Sequence, residues 1–276
     1  MNTVEVPDWE TFEREVKKLR EEYQDSYHAL VFRGQGDSDW ELKTTLERNR
    51  CEHMLFRDYY MLISSSLGPE VKTFAGVDVP TYDRENCVPF MKPGLLYEIG
   101  DVFPIEIYRY MAYLRHFGFP SPFLDWSRSP FVAAFFAFRD DPLRNPKKRS
   151  IFAYCSKPIG LSGGTLGQPI IRQLGPYVQT HKRHFQQRCD YTICGNYDEN
   201  YGWRYDSHQA VFDEANPRQD FLWKFELPST ERKKVLGVLS DYNFNAYSLF
   251  GSEESLLETM WIQEQVLGRK STGTIA

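Results

Sequence analysis

An almost wholly apolar segment, from Phe131 to Phe138, places the strongest constraint on how this chain can fold. It follows Ser129 and Pro130, a pair typical of a helix start, because serine can cap the first turn and proline is tolerated there. A helix that is apolar on every side has to be buried. The short apolar run 123–127 before it ends in polar groups, which is a frequent position for a ligand site. The alternative is a core strand and core helix whose polar residues serve only as a cap.

The remaining sequence predicts both helices and strands. Apolar residues at steps of three and four predict a first helix from Asp8 to Tyr23. Further helices are predicted at about 51–67, 104–117, 230–239 (capped by Ser229) and 252–267, and strands at 27–33, 150–155, 191–194 and 221–227. Prolines and glycines predict an irregular insertion with short helical pieces at about 68–103, and a loop with one short helix at 160–175. These elements predict a single α+β domain over residues 1–276, with a mixed or antiparallel β core flanked by helices.

Composition narrows the possible classes of protein. Hydrophobic residues make up 41% of the chain and aromatic residues 16%, enough for a sizeable core. The net charge of -5 does not favour a broad basic surface for duplex nucleic acid. Five cysteines without a Cys-x-x-Cys pair predict reduced thiols and no structural zinc. No signal peptide and no apolar run of about 20 residues is visible, so we expect a cytoplasmic protein without a membrane partner.

Arg33 is the first candidate for ligand binding. It closes a predicted buried strand and is followed by Gly34, Gln35 and Gly36. A guanidinium presents its donors in a fixed fork that suits a pyrophosphate or a carboxylate, and glycine lets a ligand approach the backbone closely. The alternative is a structural ion pair. The glycine spacing fits neither a dinucleotide-binding turn nor a phosphate-binding Walker loop.

Two other polar features, His116 and the basic stretch 181–188, each allow a functional and a structural interpretation. His116 precedes a glycine turn and serves either as a structural or as a catalytic residue. The basic stretch 181–188, with its phenylalanine, suits a phosphate group or a single-stranded nucleic acid, although on its own it favours a solvated edge. No Gly-x-Ser-x-Gly or His-Glu-x-x-His occurs, and no metal-ligand spacing is recognisable. We therefore predict no metal.

Several motifs resemble the FRG domain family, named for its Phe-Arg-Gly motif. The matching stretches are Phe32–Gln35, Trp40–Arg48, His116–Pro120, Leu124–Ser127 with the following Ser129, Pro130, Ala133 and Ala134, and Arg183–Tyr191. In the last stretch Cys189 replaces the usual glycine and Tyr191 the usual phenylalanine. The resemblance covers roughly residues 28–194 of the 276, with a looser similarity at 245–250.

This resemblance implies an ADP-ribosyltransferase-like fold that uses NAD as its substrate. In that fold an Arg or His on the first strand holds NAD, a second strand and its helix shape the nicotinamide pocket, and a third strand supplies an acidic or amide residue near the ribose. Arg33, the segment 125–127 and Gln187 occur in that order. This step is an analogy between folds, which does not by itself fix a function.

The resemblance also assigns roles. The implied catalytic residues are Arg33, Asp125, Gln187 and Asp190, and the implied NAD-binding residues are Arg33, Gly34, Gln35, His116, Trp126 and Ser127. Gln187 stands where transferases often carry glutamate. An amide can orient a ribose hydroxyl but cannot act as a base, so Asp190 competes with it for the acidic role.

The implied protein is a toxin of a toxin–antitoxin or phage-defence system. Its acceptor would be RNA, single-stranded DNA or a protein, and an antitoxin would be its partner. A non-catalytic nucleotide or nucleic-acid binding module is the alternative, and a metal-independent nuclease using His116 and Arg33 is a third hypothesis. The sequence does not identify the acceptor, the oligomeric state or the roles of 68–103 and 195–218.

Overall fold

One mixed sheet organises the computed structural model, which describes residues 1–26, 29–80, 102–140, 146–156, 167–175, 178, 182–213 and 220–268. The strands are β1 Asn2–Glu5, β2 Val31–Gln35, β3 Phe123–Ser127, β4 Lys148–Ser156, β5 Ile170–Gln173, β6 Cys189–Asp198, β7 Gly202–Tyr205 and β8 Asp220–Pro228. The helices are α1 Trp9–Glu22, α2 Thr45–Arg48, α3 Phe56–Met61, α4 Gly68–Ala75, α5 Ile105–His116, α6 Pro130–Phe138, α7 Lys182–Gln186, α8 His208–Asp213, α9 Arg232–Asp241, α10 Ala246–Phe250 and α11 Glu253–Trp261. Single π-helical segments, Leu62–Ser66 and Ile262–Val266, extend α3 and α11.

The strands lie in the order β1-β8-β4-β2-β3-β6-β5, and β7 pairs with β6. The pair β1–β8 is parallel and the other pairs are antiparallel. Two large cores cover the sheet. One lies between helices α1, α6, α9 and strands β2, β4, β8, and the other between helices α3, α5 and strands β3, β6, β7. The predicted α+β class, with a mixed sheet flanked by helices, is confirmed.

Helix α6 is buried, as its sequence predicts. The Ser129 side chain accepts a hydrogen bond from the backbone N–H of Val132, and Pro130 occupies the first turn. Seven of the nine residues of α6 are buried. The helix lies directly against β2 at Gly34, where a Cβ atom would lie 1.9 Å from the carbonyl oxygen of Ala133. Gly34 is therefore required by the packing of a helix on a strand.

The sheet opens between its two central strands. β2 is in register with β4 over five residues, and β3 with β6 over five. Between β2 and β3 only Phe32 and Ser127 are paired. Beyond that pair the two strands diverge, so the end of β2 and the start of β3 form the walls of a gap. This split positions the cleft described below.

Some local predictions are wrong. Strand β5 lies in the predicted loop 160–175, because it adds to the edge of β6 despite its glycine-rich flank. Strand β2 continues through Gln35 instead of stopping at Arg33. Ser229 caps no helix: it begins a 3₁₀ turn, and its hydroxyl has no partner among the described residues. By contrast, helix α4 agrees with the short helical pieces predicted in the insertion at about 68–103, of which residues 81–101 fall outside the described part of the chain.

Candidate functional site

A cleft of about 420 Å³ occupies the split between β2 and β3, with α5 and α6 beside it. Its walls contain Arg33, Gly34, Gln35, His116, Asp125, Trp126, Ser127 and Gln187. The size is that of a small-molecule site. The fold thus brings together every residue to which the sequence assigns a site role, except Asp190.

Arg33 bridges the two diverging strands. Its Nη1 donates a hydrogen bond to the backbone carbonyl of Asp125 at 2.7 Å. Its Nε is buried and has no hydrogen-bond partner among the described residues. Burial is the main cause that lowers the pKa of Arg33 to about 10, so the group stays charged at neutral pH. An unsatisfied buried donor on a cation is an available contact for an anion.

Asp125 is held by a second arginine. Arg115 Nη2 and Nε donate to its Oδ2 at 2.6 and 3.1 Å, and Arg115 Nη1 donates to the Thr45 hydroxyl at 3.0 Å. Burial acts to raise the pKa of Asp125, but the charge and hydrogen bonds of Arg115 outweigh it and the pKa is lowered. Asp125 is therefore ionised at neutral pH and is a weak proton acceptor.

Trp126 and Ser127 are largely engaged inside the protein. The indole N–H of Trp126 donates to the Thr192 hydroxyl at 2.8 Å, and its ring packs on Tyr154. The Ser127 hydroxyl donates to the carbonyl of Gln187 at 2.7 Å and accepts from the N–H of Ser129. Both residues form the cleft wall, and their polar atoms already have internal partners.

The two glutamines of the cleft have different environments. The Gln187 amide donates to the carbonyl of Leu249 at 3.1 Å, and its oxygen lies 3.7 Å from the Cys189 sulfur. Gln35 donates to the carbonyl of Glu41 at 3.3 Å, whereas its buried Oε1 has no partner in the described part of the chain. Gln35 Oε1 and Arg33 Nε are thus two unsatisfied polar atoms in residues that line the same cavity.

His116 belongs to a chain of three polar side chains. Its Nε2 lies 2.9 Å from the Tyr191 hydroxyl, which lies 3.3 Å from Nδ1 of the buried His184. Burial raises the pKa of Tyr191 well above its ordinary range and lowers that of His184. Tyr191 is therefore protonated at neutral pH and orients the ring of His116.

Asp190 lies elsewhere. It is fully buried, and its carboxylate accepts hydrogen bonds from Gln173 Nε2 at 3.0 Å and from the N–H of Gly175 at 3.0 Å. Arg128 Nη2 lies 3.3 Å from it. Asp190 is not part of the cleft wall, and these contacts are those of a residue that joins β5, β6 and the β3–α6 turn.

The structure adds residues to which the sequence assigns no role in the site. They are Trp40, Arg48, Arg115, Phe136, Asp140, Arg183 and Phe250. Trp40, Arg48 and Arg183 belong to the quoted motifs, which could have indicated them. Phe250 comes from α10, far along the chain, and the Arg183 guanidinium lies 5.5 Å from its ring centroid.

The charges of the cleft favour an anion. Four arginines and two aspartates line it, and one arginine, Arg115, is paired with Asp125. The other charged residues of the wall are three arginines, Arg33, Arg48 and Arg183, and one aspartate, Asp140. Across the described residues, no three His, Cys, Asp or Glu side chains come close enough to hold a metal ion.

The fold and the cleft define an α+β protein with an arginine-rich ligand cavity at a split in its central sheet. Residues 28–145 match the FRG domain, which supports the resemblance to the FRG family. This range contains Arg33 and Asp125 and ends before Gln187. No curated protein and no solved structure matches the chain significantly. None of the helices in the described ranges has the length and apolar character needed to cross a membrane.

Proposed function

We propose that this protein is an NAD-dependent ADP-ribosyltransferase that modifies a macromolecule. One observation carries the proposal: the split sheet places Arg33, Asp125 and Gln187 around a single cavity. Arg33 comes from β2, Asp125 from β3 and Gln187 from the turn before β6, in the order that the resemblance implies. This convergence on one cleft supports the proposal.

The pyrophosphate of NAD fits the cationic wall. Arg33 offers an unsatisfied Nε, and Arg48 and Arg183 line the same cavity. Charge-assisted hydrogen bonds from guanidinium groups to phosphate are short and geometrically specific. Gln35 Oε1 is an acceptor suited to a ribose hydroxyl. The cavity therefore supplies both kinds of partner that a dinucleotide backbone needs.

Aromatic side chains other than Trp126 supply the surface for the nicotinamide. Trp126 is only 3% exposed and packs on Tyr154, whereas Trp40 is 45% exposed. Phe136 and Phe250 line the cavity as well. We assign the stacking role to this group, since an exposed ring face can receive a ligand.

The reaction breaks the bond between the ribose C1′ and the nicotinamide nitrogen. Nicotinamide leaves as a neutral molecule with the bonding electron pair, and a nucleophile on the acceptor forms a new bond to C1′ and loses its proton to solvent water. Asp125, ionised but paired with Arg115, would hydrogen-bond a ribose hydroxyl through the edge that Arg115 leaves open. Gln187 would orient a hydroxyl without taking its proton.

The test uses the purified full chain with NAD labelled in its adenylate part, and total cellular RNA or protein as acceptor. We expect label transfer and release of free nicotinamide. Arg33→Ala should abolish both, whereas Arg57→Ala, which changes an exposed arginine paired with Asp58, should not. Hydrogen bonds to charged groups contribute about 1.5–3 kcal/mol, so loss of the Arg33 contacts should weaken NAD binding by at least about tenfold.

A different result would favour the alternative function. Saturable NAD binding without nicotinamide release would indicate a nucleotide-binding module. Shortened RNA in the absence of NAD would indicate a nuclease.

The toxin hypothesis has a separate test. Induced expression in the cytoplasm should arrest growth, Arg33→Ala should relieve the arrest, and mass spectrometry should find ADP-ribose on the acceptor and an antitoxin bound to the protein.

A further inference from the structure

Three arginines from distant parts of the sequence meet at the closed end of the split sheet. Arg20 lies in the last turn of α1, Arg128 lies between β3 and α6, and Arg188 lies between α7 and β6. Arg20 Nη2 donates to the carbonyl of Arg128 at 3.4 Å, and the N–H of Arg128 donates to the carbonyl of Arg188 at 3.0 Å. We call these three residues the arginine cluster.

The positive charge of this cluster is only partly compensated. Partial burial of the Arg20 side chain, and then the charge of Arg188, lower the pKa of Arg20. In the described part of the chain, the one ion pair of the cluster joins Arg128 to Asp190 at 3.3 Å. One carboxylate balances one of the three charges. The remaining two belong to the exposed Arg20 and Arg188.

Arg188 also has an unusual backbone conformation. Its φ is 49°, in the left-handed region, which costs a residue with a side chain about 1–2 kcal/mol. Glycine would adopt this conformation without that cost. The turn thus holds an exposed cation in a conformation that stability alone would give to glycine.

The arginine cluster adjoins the cleft at the end of β3 and at the start of β6. Arg128 follows Ser127 directly, and Arg188 lies between Gln187 and Cys189; these three neighbours line the cavity. Phe185, in the same turn as Arg188, is 85% exposed. Cations beside an exposed aromatic ring are the combination that binds a single-stranded polynucleotide, through phosphate contacts and base stacking.

We propose that Arg20, Arg128 and Arg188 bind the phosphates of a single-stranded polynucleotide, with a base stacked on Phe185. The site is small, and the chain as a whole carries a net charge of -5, so a duplex surface is not favoured. The role of this polynucleotide as the acceptor rests on the proposed transferase function. The binding of the polynucleotide to the arginine cluster does not rest on that function, and the acceptor role and the binding are tested separately.

The binding test uses the full chain without NAD. Fluorescence anisotropy would follow a labelled single-stranded RNA of about 12 nucleotides, its DNA counterpart and a duplex of the same length. The variant carrying Arg20→Ala and Arg188→Ala changes two exposed residues. The matched control carries Arg14→Ala and Lys17→Ala, two exposed cations on α1. Circular dichroism would check that both proteins are folded.

We expect the wild type and the control to bind single strands. The Arg20/Arg188 variant should bind single strands at least about tenfold more weakly. The slope of log affinity against log salt concentration should be shallower by about 1.4, because two phosphate contacts are lost. Phe185→Ala should weaken binding with the salt dependence unchanged, because stacking involves no counterion release. The RNA and DNA probes show which polynucleotide is preferred.

Two results would overturn the proposal: equal binding by the Arg20/Arg188 variant and the control, or no polynucleotide binding by the wild type, with or without binding of a polyglutamate peptide. Nicotinamide release measured on the same proteins separates the two hypotheses. If the wild type binds RNA but releases no nicotinamide, the transferase hypothesis is rejected and the hypothesis that the arginine cluster binds a polynucleotide is retained. Nicotinamide release that persists in the Arg20/Arg188 variant, with RNA labelling lost, would support both.

Discussion

Asp125 and Asp190 lie on neighbouring strands but on opposite faces of the sheet. Asp125 is opposite Tyr191 in the register of β3 and β6, and Asp190 is opposite Trp126. Because side chains alternate between faces along a strand, residues 125 and 126 point in opposite directions. Asp125 faces Arg115 and the cleft, whereas Asp190 is buried behind the sheet. Two carboxylates that look equivalent in the sequence therefore have separate environments.

The first prediction compares Asp125→Asn with Asp190→Asn. Asp125→Asn should abolish nicotinamide release while the free energy of unfolding falls by about 1 kcal/mol, because its ion pair is partly exposed to solvent. Asp190→Asn should lower that free energy by about 3 kcal/mol or more, because the new amide N–H atoms would face the donors of Gln173 and Gly175. Urea unfolding and a nicotinamide assay measure both effects. A stable but inactive Asp190→Asn protein would contradict this division.

The second prediction concerns Gly34. Gly34→Ala should severely destabilise the protein, because the new Cβ would lie 1.9 Å from the Ala133 carbonyl oxygen and 2.7 Å from the Ala137 nitrogen. Forced shifts in a packed core typically cost about 1–3 kcal/mol, and here both contacts are to helix backbone, which cannot rotate away. The matched control is Gly237→Ala in α9, where the nearest atom is 3.8 Å away. That change should raise stability by about 0.5–1 kcal/mol. Thermal unfolding of both variants is the measurement, and equal melting temperatures would be inconsistent with the packing described.

The third prediction concerns pH. Burial, followed by the charge of Arg33, lowers the pKa of His208 from 6.5 to about 3. Between these values the unfolded chain binds a proton that the folded protein does not. The free energy of unfolding is therefore highest above pH 6.5, as far as His208 is concerned, and it falls as the pH decreases from 6.5 towards 3. The loss amounts to about 5 kcal/mol.

His208→Gln should remove most of this pH dependence, whereas His53→Gln, at an exposed site, should retain it. Urea unfolding monitored by tryptophan fluorescence at several pH values would show the difference. Parallel pH profiles for the wild type and His208→Gln would exclude His208 as the source.

The fourth prediction concerns the thiols. Burial raises the pKa of Cys189 to about 12 and also raises that of Cys155 and Cys194. Cys51 is only half-buried. Alkylation of the native protein near pH 8, followed by peptide mass spectrometry, should therefore modify Cys51 and spare Cys155, Cys189 and Cys194 until denaturant is added. Rapid labelling of Cys189 would mean that the cleft contains a reactive thiolate.

Much of the local structure follows from the sequence because its causes are local. The stripe formed by Trp9, Phe12, Val16 and Leu19 predicts α1, and those residues are buried in it. The all-apolar segment predicts a buried α6, and the alternation around Trp223 predicts β8. Strand β5 was missed because its pairing with β6 is not encoded in its own residues.

The features of the candidate site also divide into those that the sequence determines and those that only the tertiary structure decides. The sequence by itself determined which residue types occur in the motifs: a guanidinium at Arg33, a carboxylate at Asp125 and an amide at Gln187. Only the tertiary structure decided that β2 and β3 separate, that Arg115 neutralises Asp125, and that Phe250 completes the wall. The physical reason is that propensity and periodicity act over a few residues, whereas a cleft arises from contacts between segments that are far apart in the chain.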